Sequence, residues 1–111
     1  MTNSWTNELG LGITVCDIQG NITYMNDKAK AIFAKHGESL IGNNLKDCHS
    51  AASWDKIMAL MAENKSNSYT IEKNGIKKMI HQTPWYENST LMGLVEFSIE
   101  LPQEMPHYIR G

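Results

Sequence analysis

The segment "DIQGNITYMNDKAKAIFAKHG", residues 17–37, decides how this chain is read. It ends one β-type run, turns, makes a second run and enters a helix with no linker. The run before it, "LGITVCDI" (11–18), is rich in β-branched residues and alternates, which predicts a strand. Gln19-Gly20-Asn21 is turn chemistry, since Gly20 and Asn21 both tolerate positive φ. "ITYM" (22–25) is then the returning strand of a hairpin. Asn26 is a good helix N-cap, with Asp27 at the positive end of the helix dipole. Ala29, Ile32, Phe33 and His36 follow at helical spacing, and Gly37 supplies a stop. A link this short obliges the helix to fold back over the strands, forming one wall of a small cavity.

The chain downstream completes the pattern. Residues 38–52 are broken by Gly42, Asn43 and Asn44, which predicts short helical turns. Ser53 is a candidate cap for a second helix running to about Asn64, with Trp54, Ile57, Met58 and Met61 as its apolar stripe. Three strands follow, at 69–74, 76–86 and 91–101. Asn74-Gly75 is a strong hairpin signal and Glu87-Asn88-Ser89 a weaker one. Pro84 restricts its strand to an edge or a bulge at that point. The order strand, strand, helices, then three strands predicts an α+β fold with an antiparallel sheet and helices on one face. Residues 1–10 read as an N-terminal cap, 11–101 as the domain and 102–111 as a tail.

Bulk properties bound the function. The 111 residues suit one domain that buries a core without metal or disulfide staples. Apolar residues make up 41% and charged residues 20%, ordinary for a soluble globular protein. The net charge of −2 and the lack of a basic run argue against nucleic acid and anionic membranes as partners. The N-terminus has no basic-then-apolar pattern, so cytoplasm is the expected location. In that setting Cys16 and Cys48 are expected to be free thiols. A catalytic role has little support. Cys48 beside His49 is the one nucleophile-plus-base pair, adjacent residues seldom point at each other, and no phosphate loop is present.

With these segments in place the sequence resembles the PAS family. The residues that carry the resemblance are "GITVCDIQGNITYMNDKAKAIF", "LIGNNLKD" and "QTPWYENSTLMGLVEFSIEL", in that order and spacing, over about residues 9–101. The "DCH" segment and the "EMPHYIR" tail also resemble bacterial members of that family. The resemblance implies a five-stranded antiparallel sheet flanked by helices, sensing of a cofactor or metabolite, and frequent dimerisation. In blue-light flavin relatives a cysteine follows the glycine matched by Gly42. Leu45 stands at that register here and Cys48 is three residues late, which argues against cysteinyl-flavin chemistry. Heme relatives place a histidine on the long helix, which has none here. Cys48 and His49 are the candidate heme ligands that remain. His36, His81 and His107 show no zinc spacing.

Alternation, with the orientation the resemblance implies, points Thr14 and Cys16, Ile80 and Gln82, and Val95 and Phe97 into the cavity. Phe33, Leu45 and Met58 complete the candidate ligand-binding set. The lining is mostly apolar with a few polar handles, the make-up of a small-molecule pocket. The same side chains serve equally as a close-packed core. The opposite face carries Met79, His81, Thr83 and Trp85, to be covered by Trp5 and Leu9 or by a second copy. The expectation is thus a sensory, signal-transduction module, not an enzyme. It would bind a small apolar or aromatic metabolite and relay the signal through a homodimer or a partner protein, without nucleic acid or membrane. The alternatives are a heme or flavin protein and a ligand-free dimerisation module.

Overall fold

The computed structural model describes residues 4–32, 41–47 and 50–111. Helix α1 (Ser4–Asn7) precedes strands β1 (Gly12–Asp17) and β2 (Ile22–Met25) and helix α2 (Asp27–Ile32). A 3-10 turn (Leu45–Asp47) leads to helix α3 (Ala51–Glu63), then to strands β3 (Asn67–Lys73), β4 (Ile76–Glu87) and β5 (Thr90–Leu101). Among the described residues the five strands form one antiparallel sheet in the order β2-β1-β5-β4-β3. The expected α+β architecture is the one observed. Phe33, His36, Gly37, Cys48 and His49 lie outside the described residues.

The hairpin-to-helix junction is organised by one side chain. Asn26 is 1% exposed. Its Oδ1 accepts from the backbone N–H of Ala29 at 3.1 Å, the expected N-cap bond, and from that of Ile13 at 2.9 Å. Its Nδ2 donates to the carbonyls of Leu11 at 2.8 Å and Thr6 at 3.0 Å. Both donors and both acceptor sites of the amide are therefore used, which is what burial of a polar group demands. The four bonds reach the end of α1, the entry to β1, β1 itself and α2.

The turns are built from local polar chemistry. Asp17 Oδ1 accepts from the backbone N–H groups of Gln19 and Asn21, both at 2.9 Å. Burial is the largest single influence on its carboxyl and acts upward, but the hydrogen bonds from Asn21, Gln19 and Gly20 together hold it below the usual range. The Trp54 ring lies against Gly20 so closely that a Cβ there would collide with it, and Gly20 also has a φ of 87°. The 41–47 segment then closes the free edge of β2. Ile22 N–H donates to Asn43 O, Gly42 N–H to Ile22 O and Leu45 N–H to Gly20 O, each at 2.8 Å. An edge strand that would otherwise be open is thereby paired.

Helix α3 begins three residues earlier than Ser53 suggested. Ser50 is its N-cap, accepting from Ser53 N–H at 3.2 Å, and Asn64 ends it in the left-handed conformation. Ser50 and Ser53 offer the same hydroxyl, and Ala51-Ala52 between them are strong helix formers, so the earlier cap wins. The buried stripe is Ile57, Leu60 and Met61. Pro84 sits beyond Gln82, the last β4 residue that pairs with β3, where its missing N–H costs no ladder bond on that side.

The core divides into two clusters. One joins α3 to the sheet through Ile57, Leu60 and Met61 against Cys16 and Leu94. The other joins β2 and α2 through Ile22, Met25 and Ala29, and Leu45 touches both. Replacing Asn26 by Ala strands two amide hydrogens and two carbonyls, and should cost about 3 kcal/mol or more of stability in denaturant unfolding. Asn26→Asp, which keeps the cap acceptor but loses both donors, should not restore it.

Candidate functional site

Strand register fixes which side chains meet above the sheet. Thr14 pairs with Glu96, Cys16 with Leu94, Gly12 with Ser98, Ile80 with Ser98 and Gln82 with Glu96. Directly opposed residues share a face, so these side chains form one floor on the helix side. Helix α3 covers the end of that floor holding Cys16 and Leu94. The other end lies under α2 and is not filled.

The unfilled space is a cavity of about 320 Å³. Its floor is Gly12 and Thr14 of β1, Glu96 and Ser98 of β5, and Ile80 of β4. Its roof is Ile22, Met25, Ala29 and Ile32 from the hairpin-helix unit, with Leu45 closing one side. Tyr69 and Ile71 of β3 line it as well, yet each stands 44% exposed, so β3 borders the mouth. Lys78 lies on the same rim. A volume near the lower end of small-molecule sites, an apolar body and a few convergent polar groups make this a binding-type cavity. A much smaller void adjoins it, shared by Thr14, Leu45 and Glu96 with Cys16, Ile57, Gln82 and Leu94.

Of the expected set, Thr14, Leu45 and Ile80 line the main cavity. Cys16 and Gln82 share their face but lie beneath α3, beside the smaller void. Met58 does not reach in. It is 39% exposed, because 57, 60 and 61 form the inward stripe of α3 and 58 falls on the flank. Phe33 falls outside the described residues.

Val95 and Phe97 are corrected. They pair with Thr83 and His81 and belong to the outer face. The cause is a bulge. From the Glu87–Thr90 turn an unbroken ladder would set Gln82 opposite Val95 and Ile80 opposite Phe97. The register instead shifts between Trp85 and Tyr86, where Tyr86 pairs with Leu91 and Trp85 with Gly93. Met92 is the extra residue. One inserted residue moves every later side chain of β5 to the other face. Gly93 then passes so close to β1 that a Cβ would collide with the Cys16 carbonyl. The residues missed in consequence are Glu96 and Ser98, polar side chains on the cavity side of a strand whose apolar half faces outward. The pair Met92-Gly93 was the available signal.

Trp5 does not cover the outer face. Trp5 is 73% exposed, and α1 is instead tied to β2, where Tyr24 hydrogen-bonds Asn7 and Thr6. Val95, Phe97 and Ile99 are left half-buried. Among the described residues no group of three or more His, Cys, Asp or Glu side chains could hold a metal ion. None of their helices is long and apolar enough to cross a membrane.

A family model described as the PAS fold matches residues 6–72. The chain belongs to the PAS-fold family. Solved structures share the fold of this PAS domain. It aligns with the PAS domain of the histidine kinase ThkA at a TM-score of 0.66 and 18% identity, over 80% of this chain and 97% of that one. A sensory box histidine kinase of Vibrio cholerae gives 0.67 and 13%, over 89% and 88%. The VqmA dimer of Vibrio cholerae, a DNA-binding LuxR-type receptor, gives 0.68 and 18%, over 89% of this chain but 49% of that one. No curated protein matches the chain.

The VqmA likeness corrects one expectation. The expected partner set was a small-molecule ligand, a homodimer and a signalling protein, with nucleic acid and membrane excluded on the grounds of charge. A domain of this fold sits within a DNA-binding receptor, so the low net charge of the domain excludes no nucleic-acid partner for a chain that carries it. The partner set does not stand in that form.

Cys16 is a free thiol, 2% exposed. Desolvation raises its pKa, the Leu94 backbone contact works the other way, and Asp17 and Glu96 add to the rise. The thiolate is the reactive form, so Cys16 should resist iodoacetamide at neutral and mildly alkaline pH in the folded protein. Peptide-level mass spectrometry should find it labelled only after denaturant is added. Rapid labelling of the native chain at Cys16 would contradict this burial.

Proposed function

We propose that this PAS domain is a sensory, signal-transduction module that holds a small, mostly apolar molecule between the sheet and α2. The observation that carries the reading is the cavity itself. A domain of this size that needed only a core would close it, because an unfilled apolar space forfeits packing energy. Here Gly12, Ser98 and Thr14 keep the floor low while Met25 and Ile32 roof it and Leu45 closes the side. VqmA, of which 56% aligns with this chain, has been solved bound to DPO, which supports looking for a ligand here.

Relay follows from where the floor lies. Strands β4 and β5 carry cavity side chains on one face and Met79, His81, Thr83, Val95 and Phe97 on the other. A guest favouring one of two arrangements of these strands shifts the population of dimer or partner contacts made by the outer face. The binding residues in this reading are Thr14, Leu45, Ile80, Glu96 and Ser98. The role is sensory and not catalytic.

The test is mass spectrometry of small molecules released from the purified protein, followed by thermal shift with those molecules and a metabolite panel. A binder at a hundred times its Kd should stabilise by about 2.7 kcal/mol. Ser98→Phe, which fills the floor opposite Gly12, should fold with equal or greater thermal stability and abolish the shift. A wild-type protein that releases nothing and responds to no compound would instead support a ligand-free interaction module.

A further inference from the structure

Glu96 is the one carboxylate on the cavity floor among the described residues, and it is incompletely partnered. Gln82 Nε2 donates to its Oε1 at 2.9 Å. The amide of Gln82 is held in that sense because its Oε1 accepts from Asn67 Nδ2 at 3.2 Å. Asn67, Gln82 and Glu96 thus form a directed chain that runs from the start of β3 to the cavity. Gln82 is the only side chain donating to Glu96 among the described residues, and Glu96 makes no ion pair with them. Lys78, the cation on the rim, does not serve. It sits opposite Glu100, two floor pairs along from Glu96, roughly 13 Å at the rise of a strand. Glu100 is also bridged by Lys28 at 3.8 Å.

A carboxylate drawn half out of water against an apolar roof is costly unless it is paired. The protein supplies one neutral donor, to Oε1, and among the described residues none to Oε2. Thr14 lies beside it on β1. The apolar roof selects the body of a guest and Glu96 selects its head. We infer that the guest class is a small organic cation, a protonated amine or amidinium on an apolar body, with Glu96 as the residue that recognises the charged nitrogen. This rests on the cavity being the sensory site. A charge-assisted N–H···O bond of this kind contributes about 1.5–3 kcal/mol, or roughly a tenfold to hundredfold preference over a neutral head.

The test uses three probes that share a phenethyl body: phenethylamine, phenethyl alcohol and hydrocinnamate, which are cationic, neutral and anionic at neutral pH. Each is titrated into the full chain while the methyl resonances of Ile80 and Met25 are followed. Phenethylamine should bind at least about tenfold more tightly than the alcohol, and hydrocinnamate most weakly. In Glu96→Gln, which preserves the bond to Gln82, the amine and the alcohol should bind within about twofold of each other. Equal binding of amine and alcohol to the wild-type protein, or a preference that survives Glu96→Gln, overturns the assignment to Glu96 and leaves the cavity reading standing. Failure of all three to move Ile80 and Met25 overturns both. Should Glu96→Gln not fold, the wild-type order decides alone, and a preference for hydrocinnamate refutes the proposal.

Discussion

A single buried amide governs how this chain closes on itself. Asn26 caps α2, but two of its four hydrogen bonds go backward, to the segment entering β1, and a third ties α1. An N-cap needs one acceptor. The remaining bonds make the same residue a clamp that fixes the height of α2 above the sheet. Because the amide is fully used and out of water, the helix cannot settle closer without breaking bonds that solvent would not replace. The space under α2 follows from that constraint. Small floor residues maintain it from below, and Leu45, delivered by the pairing of 41–47 along β2, limits it from the side.

Much of this was legible in the residues themselves. Gly20 with Asn21, Asn26 and the Asn74-Gly75 turn each carry a local conformational demand that few alternatives satisfy, and the β1–β2 turn, the start of α2 and the β3–β4 turn lie where these residues indicate. The site was less legible, for reasons of phase. Cavity strands obey a period of two, so one residue decides between floor and outer face. Alternation with the orientation implied by the resemblance puts Val95 and Phe97 inward, the apolar half of β5 toward the helices. That logic holds for a packed core. It fails where a strand faces a cavity with polar handles and keeps its apolar half for the other side. Met58 failed similarly, since Met58 and Leu60 are both apolar and leave the rotation of α3 ambiguous.

The bulge at Met92 therefore has functional weight beyond geometry. It brings Glu96 and Ser98 to the floor and places Gly93 against the Cys16 carbonyl. A continuous ladder would have laid Val95 and Phe97 over the same ground. The cavity would then be smaller, and its floor would carry no carboxylate to discriminate between guests. Polarity within an apolar enclosure is the costly feature here, and the Asn67–Gln82–Glu96 chain shows how the fold sustains it.

The central claim is that the space between α2 and the sheet is real and accessible. Its most direct test is a crystal structure of the protein under xenon pressure, since xenon enters apolar cavities without needing polar partners. The account predicts a xenon peak above Thr14 and Ile80, beneath Met25, with the surrounding side chains unmoved. A crystal with no xenon there, and with Leu45, Ile32 and Met25 packed directly onto the floor, would contradict it.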